Sequence, residues 1–331
     1  MPLKLLAILI ACSVGAQPFL YVANQNSNNL TVVNAATNAV AASPAASFSP
    51  AALALSPDGT RLYVSNPNAN LVVVYNTANN AVVGSFSIGQ QPLGIAADAA
   101  RIYVTLQGNA AVAVFNATTL LQQASIRVGF GPSAIGYSPA LNRVYVANTY
   151  SNSVSVIDPT RIGTTLAPVI GTITVPDSPV ALAITTDGRS AWVASSARSI
   201  LSRIDLDQST VAARITLPVS PAGLALSPDQ SRAYVTGYGP QIAAVDTRAG
   251  TVIKTADLPA CPQVRCLAMS AAVSADGKLV YIANTSLNQI SVLNAETNEL
   301  TATRINTGQS PRAILLGPAP RVTPSSAEVS N

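Results

Sequence analysis

Side chains that can attack a carbon, move a proton or hold a metal are scarce in this 331-residue chain, which has no histidine and three cysteines. The lack of histidine excludes Ser-His-Asp and Cys-His nucleophile systems, the His-Glu-x-x-His zinc motif and any multi-histidine copper site. It also removes the side chain that ordinarily titrates near neutral pH. Neither a Gly-x-Ser-x-Gly elbow nor a phosphate-cradling Gly-Lys-Ser/Thr loop occurs. A serine–lysine pair could still supply a nucleophile. After Lys4, however, the only lysines are Lys254, on a predicted outer strand, and Lys278, beside the Asp276-Gly277 turn.

Carboxylates alone can run a glycosidase or a metal-assisted lactonase when two or three converge. Here they fall on turns. Asp58, Asp98, Asp187, Asp229 and Asp276 sit in short hairpin links, Asp158, Asp205 and Asp246 end predicted strands, and Glu296 and Glu299 are expected in a loop. No catalytic residue, metal site or cofactor is therefore assigned. The cysteines give one specific feature, Cys261-Pro-Gln-Val-Arg-Cys266. In an oxidising compartment the pair is expected to form a disulfide, with two free thiols as the alternative. Closing so short a loop stabilises by only about 2 kcal/mol, so its expected role is to shape a local loop.

The elements that must position these residues repeat. Arg61-Leu-Tyr-Val-Ser-Asn66 returns as Arg143-Val-Tyr-Val-Ala-Asn148, and the pattern recurs at Tyr21, Tyr63, Tyr103, Tyr145, Trp192, Tyr234 and Tyr281. The successive differences between those positions are 42, 40, 42, 47, 42 and 47 residues, the length of a four-stranded propeller blade. Each period holds four short runs rich in Val, Ile, Tyr and Thr, broken by Asp-Gly, Asn-Pro or Asn-rich turns, and no helical periodicity competes. The runs are labelled strands a to d. In strand a the second residue after the opening position is Ala52, Gly94, Ala134, Ala181, Gly223, Ser270 or Ala313, small every time. Small residues are what strands crowded around a propeller axis require. The Asn that ends each Tyr-Val-x-Asn run is expected to start the b–c turn, where a left-handed backbone is tolerated.

The chain opens on a strand b at Phe19 and closes on an orphan strand a, Pro311–Gly317. Joining them completes the first blade and leaves no open sheet edge. The predicted fold is an all-β, seven-bladed propeller of four-stranded antiparallel blades over residues 17–317. Before it, residues 1–16 read as a signal peptide: a lysine, an apolar block from Leu5 to Ala11, and small residues up to Ala16. The chain is thus expected in the periplasm or outside the cell. The alternative is a lipoprotein anchored at Cys12. Residues 318–331, rich in Pro and Ser, read as a disordered tail.

The Tyr-Val-x-Asn, Ser-Pro-Asp-Gly and Ile-Asp-x-x-Thr features across residues 19 to 317 resemble the YVTN β-propeller repeat proteins exported by bacteria and archaea. The resemblance implies a seven-bladed fold and leaves function open, because such sheets carry binding proteins, lactonases and electron-transfer enzymes alike. The chain departs from the pattern at Leu106, at Trp192 to Ser195 and at Gly237.

Strand order puts the b–c and d–a loops on one face. Their sequences, such as NQNSNN, NPNAN, LQGNA and NTYSN, are polar and mostly neutral. At the axial mouth the residue after each opening position is Ala51, Leu93, Ser133, Val180, Ala222, Met269 or Arg312, so Arg312 carries the only charge there. Arg312, with Arg265, Arg198, Tyr150 and Tyr238 around the rim, is the expected recognition surface, and ordinary solvated loop residues are the competing reading. The expectation is a non-catalytic, monomeric binding scaffold of the cell envelope for a protein, a glycan or a small ligand at the axial mouth. A lactonase-like hydrolase and a weak single-stranded nucleic-acid binder are the alternatives. The latter finds neither a basic groove nor interleaved aromatics, since 18 bases against 14 acids are scattered singly.

Overall fold

Within each Tyr-Val-x-Asn run the side chains alternate between the two faces of a sheet, and both faces are apolar. Such a strand is stable only when sheets cover it on both sides. A computed structural model describes residues 18–259 and 267–317 and shows how this is met. Twenty-eight strands, β1 (Phe19–Asn24) to β28 (Pro311–Gly317), form seven four-stranded antiparallel sheets arranged in a ring. In blade 2 they are β4 (Ala52–Leu55), β5 (Arg61–Asn66), β6 (Leu71–Asn76) and β7 (Val82–Ser87), which occupy positions a to d from the axis outward. The only helical turns among the described residues are two short 3-10 segments.

Blade 1 is closed as expected. β28 pairs with β1, Tyr21 standing opposite Leu315 and Val22 opposite Ile314. Two backbone bonds extend the seam into the loops, Gln25 N–H to Ser310 O at 3.0 Å and Asn26 N–H to Gln309 O at 3.1 Å. The first and last described strands thereby hold each other in one sheet.

The core consists of layers between neighbouring blades. Between blades 2 and 3, Tyr63, Val72 and Val74 meet Ile95, Ile102, Val104 and Phe115, with the Phe86 and Phe115 rings 4.2 Å apart. The repeated tyrosines are almost fully buried, and burial pushes the Tyr21 and Tyr145 hydroxyls up to about 12. At three junctions a hydroxyl in or just after strand b also ties one blade to the next. Ser65 Oγ donates to Leu93 O at 2.7 Å, Thr105 Oγ1 to Ser133 O at 3.0 Å, and Thr285 Oγ1 to Pro311 O at 2.6 Å. A side chain at Gly94 would collide with Ser133 O, so glycine there lets inner strands approach closely.

Two local expectations are corrected. The Asn that ends strand b is not a left-handed turn residue: Asn24, Asn66, Asn148 and Asn284 are the last strand residues and are fully buried. The Asn148 amide donates across the sheet to Ser153 and Ser155 at 3.1 and 2.9 Å. The positive φ falls four residues later, at Asn28, Asn70, Asn152 and Asn288, because the turn leaves the strand in ordinary geometry and reverses only as it enters strand c. Glu299 does not lie in a loop but begins an outer strand, Glu299–Asn306, where its carboxylate meets Lys254 of the preceding blade at 2.7 Å. An outer edge open to water accommodates that charge.

Candidate functional site

The loop face is braced by four asparagines with positive φ in the b–c turns. Oδ1 of Asn28, Asn70, Asn152 and Asn288 accepts from the N–H of Ser49, Gln91, Ser178 and Ser310 at 2.8, 3.1, 2.9 and 2.8 Å. Each acceptor lies in a b–c turn, and each donor is the residue before the proline that opens the next strand a. Those donors also have positive φ, between 54° and 61°, which is costly for a non-glycine residue placed before proline. The asparagine amide holds the strained residue, and with it the start of the inner strand. At these four junctions the rim of the axial mouth is held in place.

Inside the rim a cavity of 480 Å³ runs along the axis. It is walled by the residues that follow the seven opening positions, Ala51, Leu93, Ser133, Val180, Ala222, Met269 and Arg312, and by the seven small residues next to them. The wall is apolar, with a few hydroxyls and amides from Ser133, Thr149, Ser270, Gln107 and Tyr238. Among the described lining residues Arg312 is the single charge. Its guanidinium is held below its ordinary value, chiefly by withdrawal from water, while the Tyr238 hydroxyl lies near enough to act in the opposite direction.

The candidate residues are thus divided. Arg312 and Tyr238 come together at the cavity, with Tyr238 52% exposed. Arg198 stands on the rim and is occupied by Asp177, Nε to Oδ2 at 2.6 Å, which raises the guanidinium above its ordinary value. Tyr150 is 70% exposed and lays its ring over Gly131, where a side chain would clash with it. Neither Arg198 nor Tyr150 lines the cavity. Arg265, Cys261 and Cys266 lie outside the described residues, as do the expected signal peptide and tail. Gln107 and Thr149 were not anticipated as wall residues. Their only signal was a place in the b–c loops, shared with many neutral residues.

The opposite face holds the carboxylates of the a–b turns. Asp58, Asp187, Asp229 and Asp276 accept from Ser56, Thr185, Ser227 and Ser274 hydroxyls at 2.5, 2.5, 2.5 and 2.6 Å, and each also caps a backbone N–H. These bonds lower all four carboxyls, and Asp229 is pushed down to about 2. Asp98 accepts from the buried Tyr103 hydroxyl at 2.6 Å, and Asp158 from Thr160, with Arg143 at 3.2 Å. No group of three or more Cys, Asp or Glu able to share a metal occurs among the described residues.

No protein family and no curated protein matches the sequence. Solved structures do match the fold. A putative 6-phosphogluconolactonase from Bacteroides fragilis superposes with a TM-score of 0.77 at 15% identity, over 92% of this chain and 99% of that one. Apo AztD from Citrobacter koseri gives 0.69 at 13% identity, over 92% and 99%. Hydrazine synthase from Kuenenia stuttgartiensis gives 0.69 at 22% identity, over 80% and 88%. The chain is a seven-bladed β-propeller. Proteins this different in name share its fold, so the fold alone selects none of their activities.

Proposed function

We propose that this chain is an exported, non-catalytic propeller of the YVTN type, a monomer that uses its b–c and d–a loop face as a binding surface in the cell envelope. The observation that carries this reading is the contrast in side chains at the axial cavity. Its described wall offers amides, hydroxyls, apolar groups and one guanidinium, and no carboxylate, thiol or amine. Such a lining suits recognition, with polar groups spaced over an apolar surface. The braced rim supports the same reading, because a preorganised surface loses less entropy when a partner docks. The b–c loops, rich in Asn, Gln and Ser with exposed Tyr150 and Tyr238, suit a protein or glycan partner.

Cross-linking mass spectrometry on the envelope fraction tests the proposal. Partner peptides joined to the b–c or d–a loops are expected. Cross-links confined to the Asp-bearing face would overturn the surface assignment, and turnover of a lactone by the purified protein would overturn the non-catalytic reading. The same material reports on processing. A mature chain starting at Gln17 and lacking two titratable thiols fits signal cleavage and a Cys261–Cys266 bridge, whereas a lipidated Cys12 would make the protein membrane-anchored.

A further inference from the structure

Six of the seven residues at the first position of the inner strands are neutral: Ala51, Leu93, Ser133, Val180, Ala222 and Met269. The fold is therefore satisfied there by alanine, leucine, serine, valine or methionine. A partly buried guanidinium at the seventh place, Arg312, is not required by the ring and carries a desolvation cost. Among the described residues it has no hydrogen-bond or ion-pair partner, and the one group that acts on its charge is the Tyr238 hydroxyl. Residues 260–266, which lie outside the described residues, read Ala-Cys-Pro-Gln-Val-Arg-Cys and contain no acid. An arginine presents a planar fork of donors that matches a carboxylate in geometry as well as charge.

The rest of the cavity sets the body of the ligand. Leu53, Ile95, Ile135, Leu182, Leu224 and Met269 contribute an apolar wall, and 480 Å³ is the size of a small-molecule site. One cation facing no fixed anion among the described residues favours a single negative charge over a dianion, whose second charge would find no cationic partner on the described wall.

We infer that the axial cavity binds a monoanionic carboxylate with an apolar body, the carboxylate held by Arg312 and the body lodged among the inner strands. This rests on the reading of the loop face as a binding surface and names the class of small ligand that surface takes. Arg312 acts here as the specificity-determining residue, with the Tyr238 hydroxyl at the mouth as a further donor.

Ligand-observed fluorine NMR on the mature protein tests it, with 4-fluorobenzoate as the probe and 4-fluorobenzamide as its uncharged counterpart. The carboxylate is expected to bind at one site, and R312Q to weaken it by about tenfold to a hundredfold, the range for a hydrogen bond to a charged group. The amide is expected to bind the wild type weakly and R312Q no worse. A222L narrows the cavity while sparing Arg312, and it should fold, since Leu93 already occupies the equivalent place. It is expected to lower carboxylate binding as well. The inference is overturned if the folded wild type does not bind 4-fluorobenzoate, if amide and carboxylate bind alike, or if neither variant changes carboxylate binding. Should R312Q fail to fold, the amide comparison and A222L still decide. Failure here leaves loop-face cross-links to partners untouched, whereas lactone turnover would sink the non-catalytic reading whatever the probe does.

Discussion

The two faces of the ring solve the same problem with different chemistry. On the a–b side a chain reversal recurs in which Asp58, Asp187, Asp229 or Asp276 binds a hydroxyl two residues before it and an N–H two residues after it. On the b–c side Asn28, Asn70, Asn152 or Asn288 reaches out of its own turn to grip the linker into the next blade. The aspartate turns are self-contained and consume their charges. The asparagine braces connect blades without adding charge, and Arg312 is the single charge among the described residues that line the axial cavity. Chemistry repeated around the ring is architecture, and chemistry that occurs once is available for function.

The most severe way to break this contrast is to open the ring, which both faces share. Deleting residues 311–331 removes β28, exposes the edge of β1 and strips Ile314 from the layer beside blade 7. The loss is expected to exceed the whole stability of an ordinary domain, about 5–15 kcal/mol, and to abolish a cooperative thermal transition followed by circular dichroism. A deletion variant that melts as sharply as the intact chain would show that the seam is dispensable.

A finer cut addresses the loop face alone. Asn70→Ala removes the brace on Gln91 and leaves alanine at a φ of 51°, and a loss of about 1–2 kcal/mol is expected in denaturant titration. Asn70→Gly restores backbone freedom without the brace, so it should recover part of that loss. If glycine recovers all of it, the hydrogen bond contributes nothing and the rim is held by other means.

The fold was legible because seven copies of one unit each state the same requirement. Tyr at strand b and a small residue at the second place of strand a are packing constraints, and packing constraints survive repetition. What escaped were features set by geometry across the gaps. Asn66 and Asn70 look alike in sequence, yet one is buried at a strand end and the other adopts the left-handed turn. Their difference lies in a backbone path that no single residue type dictates. Arg198 looked free because its partner Asp177 stands 21 residues earlier, on the linker into its own blade. Arg312 was legible for the opposite reason. Aligning the inner strands exposes the one charged member of the set, and burial then gives it a consequence that alignment does not show.

The Asp face sharpens the comparison through pH. Asp229 titrates near 2 in the folded chain against an ordinary 3.8, held down first by Ser227, then by the Ser231 hydroxyl and the Ser231 N–H. A depressed carboxyl contributes its stability in full above pH 3.8 and loses it as pH falls through about 2. D229N is therefore expected to cost about 1 kcal/mol at neutral pH, a modest figure because the carboxylate is exposed and screened. Wild type and variant should converge below about pH 2 in denaturant titrations. A constant gap down to that pH would mean that the side chain acts by shape and not by charge.

The smallest effect is the one whose sign matters. R312M replaces the guanidinium with the residue that blade 7 already carries as Met269. Removing a partly desolvated cation that has no partner among the described residues is expected to raise stability, by under about 1 kcal/mol after the lost packing of the arginine stem is counted. On the Asp face the corresponding removal of charge lowers stability, since those charges are satisfied by the turn that holds them. A site kept at a cost to the fold is what selection for binding leaves behind. If R312M instead lowers the melting temperature while 4-fluorobenzoate binding is unchanged, Arg312 belongs with the repeated, architectural residues, and the axial cavity loses the feature that set it apart.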